Sequence, residues 1–194
     1  MDAQFLVKSS LPCEHGSFDV WAFGSEIEQM PHVVMTSKNL DLTQPINMRI
    51  HSECMTGDVF GSKRCDCGQQ LHNALSYIEQ NSGVLIYLRQ EGRGIGLVNK
   101  LKAYNLQDQG MDTIEANEAL GFQPDQRLYD DAIAITLAMG ISRVRLISNN
   151  PRKLQAFEQA GIEVVDRIYL PTEVFPENDH YLKTKINRMG HQFS

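Results

Sequence analysis

The chain has 194 residues, 42% of them hydrophobic and 22% charged, with a net charge of −6. That length suits one domain over residues 1–194 with an ordinary core. The acidic balance argues against nonspecific nucleic-acid binding, and no apolar run approaches the roughly 18 residues of a membrane span, so neither nucleic acid nor membrane is an expected partner.

The opening MDAQFLVKSSLP has neither a basic stretch nor a long apolar one, so no signal peptide is expected. Strands are predicted over Phe18–Phe23, His32–Met35 and Ile46–His51. The last leads straight into RIHSECMTGDVFGSKRCDCGQQ. Leu71, Ala74, Leu75 and Ile78 repeat at helical spacing, which predicts a helix over Gln69–Gln80 ending near Gly83. Val84–Leu88 is an apolar run of strand length. It is followed by RQEGRGIG and a helical stretch, Leu97–Leu106. Asp112 is placed to cap a short helix over Thr113–Leu120, with Gly121 after its end. Asp131–Met139 reads as a further helix closed by Gly140. Val144–Ser148 is a strand, and Asn149 or Asn150 caps a helix that has Pro151 at its first position and runs to Ala160. Ile162–Val165 is the next strand, which gives a β-α-β unit with parallel strands. The closing HYLKTKINRMGH reads as a helix. The fold class is α/β, a mixed sheet flanked by helices.

Cys54, Cys65 and Cys67 carry the strongest chemical signal. Three clustered cysteines of four suggest a metal site in a reducing, cytoplasmic compartment rather than a disulfide framework. Structural zinc takes four protein ligands, whereas catalytic zinc takes three and leaves the fourth position to water. His51 or His72 could close the site. The crowd of polar residues around it, from His51 and Glu53 to Gln70, favours an open catalytic ion. RQEGRGIG follows a strand and opens a helix, where glycines admit a close ligand and Arg89 and Arg93 can grip phosphate. It matches neither a Walker A loop nor GxGxxG. Taken alone, Asp125 and Arg127 read as an exposed turn, and Lys183, Lys185 and Arg188 as a solvated face. A zinc deaminase is a rival reading: His51-Ser52-Glu53 matches His-x-Glu, but the Pro-Cys-x-x-Cys of that signature is replaced by Cys-Asp-Cys.

The long segments RIHSECMTGDVFGSKRCDCGQQL, RQEGRGIGLVNKLKAYNLQDQGMDTIEAN, DQRLYDDA, SNNPRK and HYLKTKINRMGH together resemble GTP cyclohydrolase II, the family that opens riboflavin biosynthesis. The resemblance covers nearly the whole chain and is to the monofunctional form. It implies conversion of GTP to formate, pyrophosphate and 2,5-diamino-6-(5-phosphoribosylamino)pyrimidin-4(3H)-one. It further implies Zn2+ on Cys54, Cys65 and Cys67, Mg2+ on the triphosphate, and a homodimer. The GTP contacts implied are Arg49, Ile50, His51, Ser52, Glu53, Gln70, Glu91, Gly92, Arg93, Thr113, Ser148 and Lys153. Asp125 falls on the proton acceptor, Arg127 on the proposed nucleophile at the α-phosphorus, and Tyr104 on an active-site tyrosine. Ser148 stands where close relatives are expected to carry Thr, which keeps the hydroxyl.

Overall fold

The computed structural model describes residues 4–25, 30–123 and 125–190. Seven strands form one sheet in the order β1-β2-β3-β5-β4-β6-β7. They are β1 (Gln4–Cys13), β2 (Gly16–Gly24), β3 (His32–Ser37), β4 (Ile46–Ser52), β5 (Val84–Leu88), β6 (Arg143–Ile147) and β7 (Glu163–Ile168). The run β1-β2-β3-β5 is antiparallel, and β5-β4-β6-β7 is parallel. The sheet is therefore mixed, as the pattern of elements predicts. The described residues further form helices α1 (Met55–Asp58), α2 (Cys67–Asn81), α3 (Gly96–Gln107), α4 (Thr113–Ala119), α5 (Asp130–Ala138), α6 (Pro151–Gln159) and α7 (Pro176–Met189), with a 3-10 helix at Glu91–Gly94.

Successive strand residues point to opposite faces. Val84, Ile86 and Leu88 join Met48, Ile50, Val144 and Leu146 in one core, against Ala132 and Ile135 of α5 and Phe157 of α6. Leu85, Phe18 and Ile147 face the other way and bury the α2 stripe Ala74, Leu75 and Ile78. Helices thus cover both faces, which is why β5, VLIYL, reads as an unbroken apolar run.

Helix ends follow the local chemistry. Asp112 accepts from Ile114 N–H and Glu115 N–H, and the Glu115 carboxylate takes the Asp112 N–H, a complete capping box. Asn150, rather than Asn149, caps α6 and accepts from Arg152 N–H, with Pro151 next. The closing helix begins at Pro176, four residues ahead of the predicted His180, and the predicted end at His191 lies outside the described residues. Two elements were not expected. α1 is one short turn. β1 is an edge strand exposed along almost its whole length, so it shows no buried alternation.

Candidate active site

The carboxyl ends of β4, β5 and β6 open on the same edge of the sheet, where ligands of α/β folds sit. β4 delivers His51, Ser52, Glu53 and Cys54. The loop after β5 brings Arg89 to Gly94, and the one after β6 brings Ser148 to Asn150.

The strand end is pinned by Asp58. Its carboxylate accepts from Cys54 N–H at 2.9 Å, from the Tyr87 hydroxyl at 2.8 Å and lies 3.1 Å from His51 Nε2. Gly57 backs onto the thiols, where a Cβ would lie 3.0 Å from Cys65 Sγ and 3.2 Å from Cys54 Sγ. A Cβ on Gly68 would fall 2.4 Å from the Gly57 carbonyl oxygen. Glycine at both positions lets the two halves of the cysteine loop close on one another.

The three Sγ atoms lie within 4.8 Å of one another, with Cys54 and Cys65 3.7 Å apart. Two sulfurs on one tetrahedral zinc at about 2.3 Å sit about 3.8 Å apart, so the donors fit that ion. Among the described residues no fourth Cys, His, Asp or Glu joins the group. His51 faces Asp58, and His72 belongs to a separate cluster. Lys100 Nζ donates to Cys54 Sγ at 3.0 Å and to Glu91 at 2.8 Å. Hydrogen bonds from Cys65 and Cys67, helped by the Lys100 charge, hold the Cys54 thiol far below its usual range. The bond with Cys54 pushes Cys65 up to about 11 and raises Cys67. Thiols crowded into sharing protons in this way are the donors that a cation deprotonates.

A cleft of about 680 Å³ opens on these thiols. Ser52, Glu53, Glu91, Gly92, Arg93, Tyr104, Thr113 and Arg127 line it. The Tyr104 hydroxyl lies 3.4 Å from Thr56 Oγ1, and burial pushes its phenol up to about 12. Glu53 pairs with Arg89 at 3.1 Å, and burial raises its carboxyl above the ordinary value. Arg93 has φ of +62°, a left-handed conformation that costs a non-glycine residue energy and clusters at functional sites.

A second cavity of about 510 Å³ adjoins the first and shares Ser52, Cys67, Arg93, Arg127 and Tyr181 with it. Arg49, Arg93, Arg127, Lys153 and Lys185 line it, and among the described residues no carboxylate does. Arg49 donates to the Ile147 carbonyl at 3.0 Å and to Gln70 Oε1. Gln70 Nε2 donates to Asp66 at 2.5 Å, and Lys185 Nζ donates to the same carboxylate at 2.6 Å. Lys153 Nζ donates to the Ile50 carbonyl at 2.7 Å. Burial, then repulsion from Arg49 and Arg127, drives the Lys153 pKa well down. Arg49 Nε and His51 Nδ1 are buried without a hydrogen-bond partner. Such a cavity suits a multiply charged anion.

Of the residues singled out from sequence, Arg49, His51, Ser52, Gln70, Arg93, Ser148 and Lys153 line the basic cavity. Two face neither cavity. The Ile50 side chain is in the core, and only its carbonyl reaches toward Lys153. Asp125 stands behind Arg127, accepting from its Nε at 2.9 Å and its terminal nitrogen at 2.6 Å. That pair corrects the reading of an exposed turn, since the side chains are only 4% and 12% exposed. Lys185 likewise leaves the solvated face: it is buried against Asp66, while Lys183 and Arg188 stay at the surface, paired with Asp179 and Asp112. Sequence reasoning missed Lys100 and Tyr181. The one available signal was for Lys100, four residues before Tyr104 and so on the same side of α3.

The GTP cyclohydrolase II family model matches residues 4–169. The chain is 49% identical over 187 residues to the riboflavin biosynthesis protein RibBA of Bacillus subtilis (strain 168), and 47% identical over 186 residues to that of Bacillus cereus (strain G9842). Each match covers 95% of this chain and 47% of the relative, so the chain spans about half the length of these curated relatives. The crystal structure of RibBX, a two-domain 3,4-dihydroxy-2-butanone 4-phosphate synthase from A. baumannii, aligns at 14% identity and a TM-score of 0.45, over 89% of this chain and 41% of that one. With the family model spanning the sheet from β1 to β7 and every loop that builds the two cavities except α7, this chain belongs to the GTP cyclohydrolase II family.

Proposed function

We propose that this chain hydrolyses GTP, taken as its Mg2+ complex, to formate, pyrophosphate and 2,5-diamino-6-(5-phosphoribosylamino)pyrimidin-4(3H)-one, the first committed step of riboflavin biosynthesis. The observation that carries this is the wall shared by a cleft over three thiols and a cavity lined by five Arg and Lys side chains and, among the described residues, no carboxylate. One ligand with an anionic tail and a hydrolysable ring spans both.

The triphosphate lies in the basic cavity, where Arg49 and Lys153 meet it, and its negative charge favours the protonated Lys153 that burial disfavours. Arg127 faces the α-phosphorus. Burial opposes its charge, but the hydrogen bonds to Asp125 outweigh that and raise its pKa further. A guanidinium held this firmly as a cation stabilises the charge that develops as water attacks the α-phosphorus and pyrophosphate leaves, rather than attacking phosphorus itself. Asp125, drawn down to about 2 by Arg127 against its own burial, stays ionised and aims it.

The base lies over the thiols. Cys54, Cys65 and Cys67 would hold a zinc ion there, which supplies an open position where water becomes acidic enough to hydrolyse the imidazole ring. Tyr104 keeps its proton and donates it to the opening ring. Gln70 is committed at both ends to Arg49 and Asp66, which leaves Glu53 to accept from the guanine edge. Incubation with GTP tests the reading: formate and pyrophosphate should appear together, and ammonia without formate would sink it. Adenine lacks the N1–H and N2–H₂ donors, so ATP should be a poor substrate.

The chain further fits a cytoplasmic homodimer. No helix among the described residues is long and apolar enough to cross a membrane. β1 pairs on one side only and exposes Phe5, Val7 and Leu11, which supports a contact between copies. Light scattering that returns the monomer mass, 21.9 kDa, would remove the dimer.

A further inference from the structure

The tip of the β1–β2 hairpin carries chemistry that the active site does not use. Cys13 pairs with Gly16, so Glu14 and His15 form a two-residue loop. This loop packs on α2. Gly16 has φ of +137°, and a Cβ there would fall 2.4 Å from Glu79 Cγ, so glycine is what lets the turn lie this close to the helix. The approach sets His15 against His72 and Ser76, both on α2. His15 Nε2 lies 2.7 Å from His72 Nδ1. One oxygen of Glu14 lies 3.3 Å from the first of these nitrogens and 3.5 Å from the second. Ser76 Oγ is 3.2 Å from His15 Nδ1, placed to accept that N–H and leave the Nε2 lone pair facing His72. None of Glu14, His15 and His72 lines either cavity described above.

We propose that Glu14, His15 and His72 form a second metal site, for a borderline divalent transition ion such as Zn2+, that clips the hairpin to α2. Nitrogen and oxygen donors at about 2.0–2.2 Å from a tetrahedral zinc lie about 3.3–3.5 Å apart. The two edges to the Glu14 oxygen already have that length. The nitrogen–nitrogen edge opens by about 0.6 Å to match it, through rotation of the half-exposed His72. The ion replaces the single proton shared between the facing nitrogens, and water fills the remaining position. Imidazole and carboxylate donors suit such an ion, and Ser76 fixes the His15 ring as outer partners of metal-bound histidines do. Because α2 begins at Cys67, an ion here stiffens the helix that also carries a thiol of the active site.

Equilibrium dialysis of the full chain against Zn2+, followed by metal analysis, tests this. The parent should bind one equivalent more than His72→Gln, whatever the thiols retain, and His15→Gln should match His72→Gln. Ser76→Ala should weaken the extra site by about tenfold. Excess Zn2+ should raise the Tm of the parent by more than that of His72→Gln, in which the thiols are the remaining site, since a site present in the folded state stabilises it. His72 is half exposed and outside both cavities, so that variant should fold and turn over GTP like the parent. Equal zinc stoichiometry in the parent and His72→Gln would overturn the proposal.

Discussion

The two adjoining cavities are assembled in opposite ways. The thiols of the first come from one short stretch, Cys54 to Cys67, folded back on itself around Gly57 and Gly68. The cations of the second come from five places: Arg49 on β4, Arg93 after β5, Arg127 before α5, Lys153 on α6 and Lys185 on α7. The thiol cluster is a product of local sequence, whereas the basic cavity exists only once the whole sheet and its helices are in place. Damage to the first should therefore act on chemistry at the base. Damage to the second should act at the phosphates or on the fold itself.

Cys54→Ser should cause the largest change. Formate release should drop to below about one-thousandth of the parent, with the bound zinc lost. Pyrophosphate release should persist with GMP as product, because Arg127 and Lys153 are untouched. Circular dichroism and GTP binding check that the loop has survived. Formate release at the parent rate from a folded, zinc-free variant would dissolve the distinction between the cavities. Arg127→Ala should come next, with kcat for pyrophosphate release down by about 10²–10³-fold and KM little changed, as for loss of one donor to developing charge. A raised KM with normal kcat would make Arg127 a ground-state contact.

The same contrast explains what the sequence made legible. The thiols are close in sequence, so their spacing alone announces a metal. The strands and helices that carry the site were equally readable, because Leu71, Ala74, Leu75 and Ile78 or the run Val84–Leu88 state their own periodicity. Lys185 was read as solvated because its partner Asp66 is 119 residues away, and nothing near Lys185 signals a buried carboxylate. Asp125 and Arg127 looked like a surface turn for the same reason, since their burial depends on elements far along the chain. Strand alternation carries further information: Arg49 and His51 share one face of β4, and Ile50 points into the core with Met48. β1 offers no such clue, because an exposed edge strand has no buried face to write into its sequence.

Lys185→Met should have a smaller effect, and on stability rather than turnover alone. It leaves the Asp66 carboxylate buried, with Gln70 as its remaining side-chain partner. Breaking such a pair costs about 3 kcal/mol, and the damage falls between two of the thiols. Denaturant unfolding should show the loss, and zinc affinity should fall with it. An unchanged midpoint would mean that α7 does not support the cysteine loop.

The smallest effect expected is also the most specific in pH. Asp125 has its pKa lowered from 3.8 to about 2, with Arg127 outweighing burial. A carboxylate whose folded-state pKa is depressed stabilises the fold fully above its unfolded value. That contribution fades as pH falls from 3.8 through about 2. The shift corresponds to roughly 2 kcal/mol for this nearly buried group. Asp125→Asn removes the titration and leaves Arg127 without its counter-charge. The variant should be less stable than the parent at neutral pH, and the difference should shrink across that acid window. Asp66 and Asp112 are also depressed, but they titrate in both proteins, so the difference isolates Asp125. Urea unfolding of both proteins at a series of pH values reads this directly. A stability difference that stays constant down to pH 2 would show that Asp125 holds Arg127 by geometry and packing rather than by charge.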